Sequence, residues 1–187
     1  MMTECNRESL TFSSLSRRKI VAGFDGGRLT SDAGGLLLRE VDRRLGLTRS
    51  LADCITDPRD PAKIIHDVQT MLTQRIGGIA LGYEDLNDHD TLRRDPVLQT
   101  LAERSPVEDL PLASPSTLCR FENRVNRQAL VDMSAVFVEQ FIASFKRPPR
   151  RLVLDFDATD DRVHGKQEGR FFHGYYDHYC FLPLYVF

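Results

Sequence analysis

The chain has 187 residues, of which 41% are hydrophobic, and this fraction suits a folded domain rather than a disordered chain. Its 25 basic and 27 acidic residues give a formal net charge of −2, which excludes the overall positive charge of many nucleic-acid-binding domains. The apolar runs are far shorter than the roughly 20 residues of a membrane helix, and the polar start MMTECNRES has no signal-peptide core. We therefore expect a cytoplasmic protein without membrane contact, with reduced thiols at Cys5, Cys54, Cys119 and Cys180.

Helical spacing of apolar residues predicts a first helix that closes at Gly46. The candidates for its N-cap are Thr30, Ser31 and Asp32. The glycine-rich stretch that leads into it, FDGGRLTSDAGG, matches neither GxGxxG nor the P-loop pattern. It therefore predicts a turn entering a helix, not a phosphate-binding loop.

A second, longer helix is predicted from Pro61, with an apolar stripe from Ile64 to Ile79. Gly77 and Gly78 are expected to loosen this helix. Pro96 then divides the next stretch into two short helices, because proline is tolerated only in the first turn of a helix.

Two further helices precede a proline-rich linker. Ser116 is the predicted cap of a short helix, and Asn126 is the predicted cap of a long one. The sequence KRPPRR then ends the helical region, since two consecutive prolines favour an extended linker. The face of the long helix predicted to be buried consists of Leu130, Met133, Phe137, Phe141 and Phe145.

From Arg151 onward the periodicity changes from helix to strand. In RLVLDFDAT the side chains of a strand would point alternately to opposite faces, which places Asp155 and Asp157 on the same face. After a polar loop, FFHGYYDHYCFLPLYVF is rich in aromatic and β-branched residues, with a turn signal near Asp177 and His178. This segment predicts two antiparallel strands.

The two strand carboxylates suggest a metal site. Residues two apart on a strand have Cα atoms about 6 to 7 Å apart. Two carboxylates in a partly buried site repel each other unless a cation compensates, and Mg²⁺ prefers oxygen ligands and supports phosphoryl transfer. Alternatively, Asp155 and Asp157 lie on a solvated strand end and cap a turn, as we expect of Asp160 and Asp161.

The chain resembles the N-terminal part of bacterial insertion-sequence transposases of the DDE group 1 family, from about Phe24 to Phe187. The similar segments are LVLDFDATDD, HGKQEGRFFHGYYDHYCFLPLYVF and the upstream FDGGRLTSDAGGLLLREVDRRLGL. The resemblance implies a ribonuclease-H-like catalytic domain that cuts and joins DNA with Mg²⁺ (or Mn²⁺) held by an Asp, Asp, Glu triad. The implied partners are the element's terminal inverted repeats and target DNA, and the full-length parent is expected to be a homo-oligomer.

The resemblance also implies a role for the acidic strand. Asp157 matches the first triad carboxylate and metal ligand, because DAT resembles the Asp-x-Thr of related integrases, and Asp155 is the second choice. The second Asp and the Glu would lie beyond Phe187, where the chain stops within an apolar strand. We therefore expect a truncated chain that lacks catalysis and acts, at most, as a DNA-binding remnant.

A rival resemblance concerns the same strand. LVLDFDAT is similar to the DxDxT motif of haloacid-dehalogenase-type phosphatases, in which Asp155 would be the nucleophile and Asp157 the general acid or base. That fold continues with a helical turn and parallel strands. The aromatic hairpin predicted here favours the transposase.

The histidines near the acidic strand are His164, His173 and His178. They lack the helical i, i+4 spacing and the CxxC partner of a strong zinc site, and strand alternation is expected to scatter their directions. We expect surface or hydrogen-bonded histidines.

DNA contacts are expected from local basic clusters. SRRKIV provides Arg17, Arg18 and Lys19, and KRPPRR provides another cluster. In RFENRVNR, arginines recur at i, i+4 and i+7, which would line one face of a helix-turn-helix-like reader. The alternative is a solvated face paired with Glu122 and Asp132. The arginines of this second cluster are Arg120, Arg124 and Arg127.

Together these patterns predict an α+β protein. Residues 1–147 form a helical N-terminal region with possible DNA-end binding, and residues 148–187 form the first strands of an incomplete ribonuclease-H-like domain.

Overall fold

The computed structural model of the chain describes residues 9–23 and 29–187. Cys5 and residues 24–28 of the glycine-rich stretch lie outside the described residues. The chain divides into two compact units, Met1–Ser144 and Phe145–Phe187. Helices and strands are both present, as the predicted α+β class requires. No helix in the described ranges combines the length and the apolar character needed to cross a membrane.

The first unit begins with a β-hairpin that the sequence patterns did not predict. Strands β1 (Leu10–Leu15) and β2 (Arg18–Ala22) pair antiparallel, and Ser16 in the turn has a φ of 50°. The hairpin is held by Arg39, only 1% exposed, whose guanidinium donates to the Ser13 carbonyl at 2.7 Å and to the Glu103 carboxylate at 2.8 and 2.9 Å. A buried charge is tolerated only with such partners.

Two helices follow the hairpin. Helix α1 (Gly35–Leu45) ends at Gly46, whose φ of 64° is readily adopted by glycine, so the predicted helix end is confirmed. The predicted N-caps are wrong, because the cap is Gly34 and makes no side-chain hydrogen bond. Helix α2 (Leu47–Asp53) starts at once and was not predicted. Its Thr48 donates to Asp42 at 2.6 Å across the junction.

The predicted long helix from Pro61 is two separate elements. Asp60 caps a single 3₁₀ turn, Pro61–Lys63, and Asp67 caps helix α3 (Val68–Ala80) by accepting from the Thr70 N–H at 2.7 Å. Ile64 and Ile65 lie between them, outside any helix. The prediction was wrong because each of the two aspartate caps begins a separate helical element. A local cap of this kind overrides a continuous apolar pattern.

Helix α3 packs against the short helices that follow it, α4 (His89–Leu92) and α5 (Pro96–Leu101). A 3₁₀ turn, Leu86–Asp88, precedes α4. The predicted break at Pro96 is confirmed, with Asp95 capping α5 at the Val97 and Leu98 N–H groups. The two core clusters beneath these helices consist of Leu92, Leu98, Leu101, Ala102 and Leu112, and of Met71, Ala113, Leu118 and Phe121.

The last two helices of the first unit are α6 (Pro115–Glu122) and α7 (Arg127–Ala143). The predicted cap at Asn126 is confirmed, since its side chain accepts from the Ala129 N–H. The cap of α6 is Ser114, so the predicted Ser116 is wrong by two positions. The predicted buried face of α7 is also wrong. Leu130 and Phe137 are 55% and 56% exposed, and the buried residues of α7 are Ala129 and Val136.

The second unit is a set of antiparallel strands: β3 (Phe156–Ala158), β4 (Asp161–Arg162), β5 (Phe171–His173), β6 (His178–Phe181) and β7 (Leu184–Val186). The predicted antiparallel pairing of the aromatic segment is confirmed by the β5–β6 hairpin, but the segment also contains a third strand, β7, which was not predicted. β3 pairs with β7 and β4 pairs with β6 in one unchanged register. Together they form one antiparallel ladder, because a backbone hydrogen bond from Thr159 to Pro183 continues it.

Candidate functional site

Asp155 and Asp157 lie at the start of the ladder. Asp155 exchanges two backbone hydrogen bonds of 2.9 Å with Phe187, and Asp157 is the register partner of Tyr185. The strand spacing therefore extends through both residues, and their side chains share a face. Both residues are exposed. They offer oxygen ligands of the kind that Mg²⁺ prefers, on a face open to solvent.

The register separates the four acidic residues of LVLDFDATDD. Asp161 pairs with Phe181 and Arg162 pairs with Cys180. Because faces alternate along a strand, Asp161 shares the face of Asp155 and Asp157, whereas Asp160 points to the opposite face with Cys180. The carboxylates thus belong to two different surroundings.

Asp160 is held by His178 rather than left as a turn cap. The His178 Nε2 lies 2.9 and 3.1 Å from the two Asp160 carboxylate oxygens. Cys180 joins them, and the ligand atoms of the three residues lie within 4.8 Å of one another. Burial raises the pKa of the Cys180 thiol, and its hydrogen bond with Asp160 raises it further, so the thiol is protonated and is a poor nucleophile.

This cluster could not be predicted from helical i, i+4 spacing or from a CxxC motif, since it has neither. The available signal was His178-x-Cys180, since two residues on a strand separated by one share a face. The predicted scattering of the histidines is wrong for two of them, because His173 and His178 are register partners. His178 is hydrogen-bonded, as predicted.

The first predicted basic cluster lies on the N-terminal hairpin. Arg17 is in the turn, and Arg18 and Lys19 are in β2. All three are exposed, and Arg18 pairs with Glu108, which raises the pKa of its guanidinium through the hydrogen bond and the opposite charge. A solvent-exposed pair of this kind contributes little to stability.

The second predicted basic cluster does not form one helical face. Arg120 is in α6, but this helix ends at Glu122, so Arg124 lies in the turn and Arg127 begins α7. The i, i+4, i+7 interpretation is wrong because α6 ends before it reaches Arg124. All three arginines are nonetheless exposed around the same helix–turn–helix junction.

The expected pairing of this cluster with Glu122 and Asp132 is also not found. Glu122 binds Arg75 at 2.5 Å, and Asp132 accepts from Gln128 at 2.8 Å. Arg124 is 3.5 Å from Asp57, whose carboxylate is already held by Arg59. Arg124 therefore shares Asp57 with Arg59, and all three arginines of the junction remain exposed.

A polar groove of about 710 Å³ in the first unit was not predicted. Arg39, Arg43, Arg49 and Arg104 line it, but so do three carboxylates. Two of them, Glu103 and Asp67, pair with the lining arginines at 2.8 and 3.6 Å. The groove is therefore close to neutral and is a weak candidate for binding an anion.

The comparison with protein families decides what this chain is related to. The model of the family described as transposase DDE domain group 1 matches residues 12–187, almost the whole chain. The chain belongs to this family. DDE transposases act on DNA and normally use divalent metal ions. Searches of curated proteins and of solved structures found no match.

Membership in the DDE transposase family covers both units, since the matched residues include most of the hairpin, helices α1 to α7 and the ladder. The acidic strand and the basic junction therefore both lie within the matched residues.

Proposed function

We propose that this chain acts in DNA transposition and that the acidic strand carries its metal-binding carboxylate. The observation that carries the proposal is the family match over residues 12–187. In a DDE transposase, the metal stabilises the charge that develops on the phosphate during strand cleavage and transfer. Mg²⁺ or Mn²⁺ is the cofactor that suits carboxylate ligands.

Asp157 is the proposed metal ligand, with Asp155 as the second choice. The donor set fits a hard cation, because both residues supply oxygen atoms from one face of the acidic strand and both are open to solvent. Hydrated Mg²⁺ typically binds one or two carboxylates and keeps several waters. The ladder, whose first strand β3 contains Asp157, is the proposed beginning of a ribonuclease-H-like sheet.

The first unit is proposed to hold DNA. Phosphate contacts come from Arg120, Arg124 and Arg127 at the α6–α7 junction, and from the cluster Arg17, Arg18 and Lys19 on the hairpin. Guanidinium groups bind phosphate oxygens in a bidentate manner, which orients a duplex without reading its sequence. Terminal inverted repeats and target DNA are the proposed ligands, and a homo-oligomer is the proposed active form of the protein.

A second candidate function is DNA binding without cleavage by these 187 residues. It is favoured by the exposed arginines of the α6–α7 junction and the hairpin, which can contact phosphates without a metal site. The phosphatase alternative is disfavoured. The DxDxT motif precedes a helical turn and parallel strands, whereas here an antiparallel ladder follows Asp157.

The test of the metal site is a titration with Mn²⁺ followed by electron paramagnetic resonance. We expect Asp157→Asn to weaken Mn²⁺ binding strongly and Asp155→Asn to weaken it less. The matched control is Asp161→Asn, since Asp161 is exposed on the same face of the ladder but outside the proposed site. Equal binding by the parent chain and Asp157→Asn would refute the assignment.

The test of function combines a gel-shift assay on the inverted-repeat DNA of the encoding element with a nuclease assay in Mg²⁺. Binding without cleavage supports the second candidate. Cleavage that is lost in the Asp157→Asn variant supports the transposase function. No binding at either low or high salt would contradict both.

A further inference from the structure

The cluster of Asp160, His178 and Cys180 is separate from the proposed Asp157 site. It lies on the opposite face of the ladder, and its members come from β6 and from the segment between β3 and β4. Cys180 is fully buried at 0% exposure, while the His178 and Asp160 side chains are 21% and 26% exposed. The cluster therefore combines one buried ligand with two that are partly exposed.

The chemistry of this donor set differs from that of the acidic strand. Mg²⁺ binds oxygen ligands in near-octahedral geometry and does not select nitrogen or sulfur. One imidazole, one thiol and one carboxylate suit Zn²⁺, which takes Cys, His and Asp as ligands. We propose that Asp160, His178 and Cys180 bind a zinc ion that joins β6 to the segment before β4 in the second unit.

The distances permit this with small movements. In a tetrahedral zinc site with bonds of about 2.0 to 2.3 Å, neighbouring donor atoms lie roughly 3.3 to 3.6 Å apart. The present His178 nitrogen to Asp160 oxygen distance is 2.9 Å, and all ligand atoms lie within 4.8 Å of one another. Opening one hydrogen bond by a few tenths of an ångström and drawing in the thiol completes the three-ligand arrangement, with solvent supplying the fourth ligand.

The binding of zinc requires protons to leave the atoms that coordinate the metal. Without metal, His178 donates from Nε2 to the Asp160 carboxylate, and the buried thiol keeps its proton. When zinc binds, the thiol proton is released to solvent, and the imidazole proton moves to Nδ1 so that Nε2 can coordinate. The hydrogen bond of the metal-free cluster thus holds two ligands close together in advance.

A further buried histidine nitrogen lies on the same face of the hairpin as His178. His173 is the register partner of His178 and shares its face of the hairpin. Its Nδ1 is buried without a hydrogen-bond partner in the described part of the chain. A buried polar atom that lacks a partner is costly, and ligands or ordered water commonly satisfy such atoms.

The test uses the full reduced chain, freed of metal and titrated with Co²⁺ as a spectroscopic substitute for zinc. We expect stoichiometric binding with a thiolate-to-cobalt charge-transfer band and the visible bands of a tetrahedral site, both abolished by added Zn²⁺. Cys180→Ser should remove the charge-transfer band. His178→Gln, at a partly exposed position, should weaken Zn²⁺ affinity roughly tenfold or more while circular dichroism confirms that the strands are intact.

Matched controls use the chain's other thiols and its other carboxylate site. Cys54→Ser and the exposed Cys119→Ser should keep the band, as should Cys5→Ser and Asp157→Asn. The proposal is overturned by an absent band, by a band that survives Cys180→Ser, or by unchanged Zn²⁺ affinity in a folded His178→Gln variant.

Discussion

Two adjacent glycines show how closely the first unit is packed. A Cβ atom added at Gly77 would lie 2.4 Å from the Leu101 side chain, and one at Gly78 would lie 2.9 Å from the His89 ring. Their helical backbone does not require glycine. Both residues are therefore needed for the close approach of α3 to the elements around it, rather than to loosen the helix as their sequence suggests.

We predict that Gly77→Ala destabilises the protein by about 1 to 3 kcal/mol, because overpacking outweighs the gain in helix propensity. The control is Gly34→Ala, since nothing lies within 4 Å of a Cβ there. That variant should be neutral or slightly stabilising. Urea denaturation of both variants measures the difference, and equal stability of the two would contradict the packing argument.

His89 is a buried histidine that must be neutral. It is 0% exposed, and its Nδ1 lies 3.1 Å from the Gln74 amide nitrogen, which donates to it. Burial lowers the pKa of His89 below its ordinary value of 6.5, and the charge of Arg75 lowers it further. His66 shares this direction, again mainly through burial.

From these shifts we predict that stability falls on mild acidification. A histidine whose folded-state pKa is lowered is protonated first in the unfolded chain, so its contribution is complete above about pH 6.5 and declines below it. Urea midpoints should therefore drop between about pH 7.5 and 5.5, above the range where Asp57 and Glu40 titrate. His89→Gln should reduce this drop and His164→Gln, at an exposed position, should not. An unchanged slope in His89→Gln would refute the assignment.

At the scale of elements, helix boundaries depend on single capping side chains. Asn126 accepts from the Ala129 N–H at 2.9 Å, whereas the Ser114 side chain accepts no hydrogen bond from a backbone N–H of α6. We predict that Asn126→Ala costs about 1 kcal/mol and that Ser114→Ala costs clearly less. Thermal unfolding compares the pair, and similar losses for both would show that the capping bond does not stabilise α7.

Which elements could be predicted depends on how local their causes are. The ends at Gly46, Pro96 and Asn126 follow from backbone chemistry within a few residues, so the sequence indicates them directly. The N-terminal hairpin depends on Arg39 and Glu40, which lie more than twenty residues away and bind Ser13. Contacts of that kind leave no periodic signal.

The buried face of α7 could likewise not be predicted from the local sequence. Its apolar residues occupy almost the whole circumference, so periodicity could not select a face. The residues that α7 buries are the smaller Ala129 and Val136, and α7 packs against α2.

At the scale of the whole molecule, the candidate sites differ in how far the sequence reveals them. Asp155 and Asp157 could be found because strand alternation alone brings them to one face. Asp160 and His178 are eighteen positions apart and meet through the ladder register, which the sequence does not specify. The basic junction was found by composition, but its geometry was not, because α6 ends at Glu122, before Arg124.

The net charge of −2 makes DNA binding a matter of local charge, and this leads to a prediction about salt. Replacement of Arg120, Arg124 and Arg127 by glutamine should weaken binding at low salt. It should also reduce the slope of log affinity against log salt by about 0.9 for each phosphate that the protein no longer neutralises. Gel shifts at several salt concentrations measure both quantities.

The control triple replaces three other exposed arginines of the first unit, Arg44, Arg49 and Arg94, and removes the same charge. If the junction binds phosphates directly, the control should lower affinity only slightly and leave the salt slope unchanged, because distant charges are screened beyond roughly 8 to 10 Å. Equal effects of the two triples would mean that DNA responds to the overall charge of the unit, and the α6–α7 junction would then no longer be assigned as the DNA-binding surface.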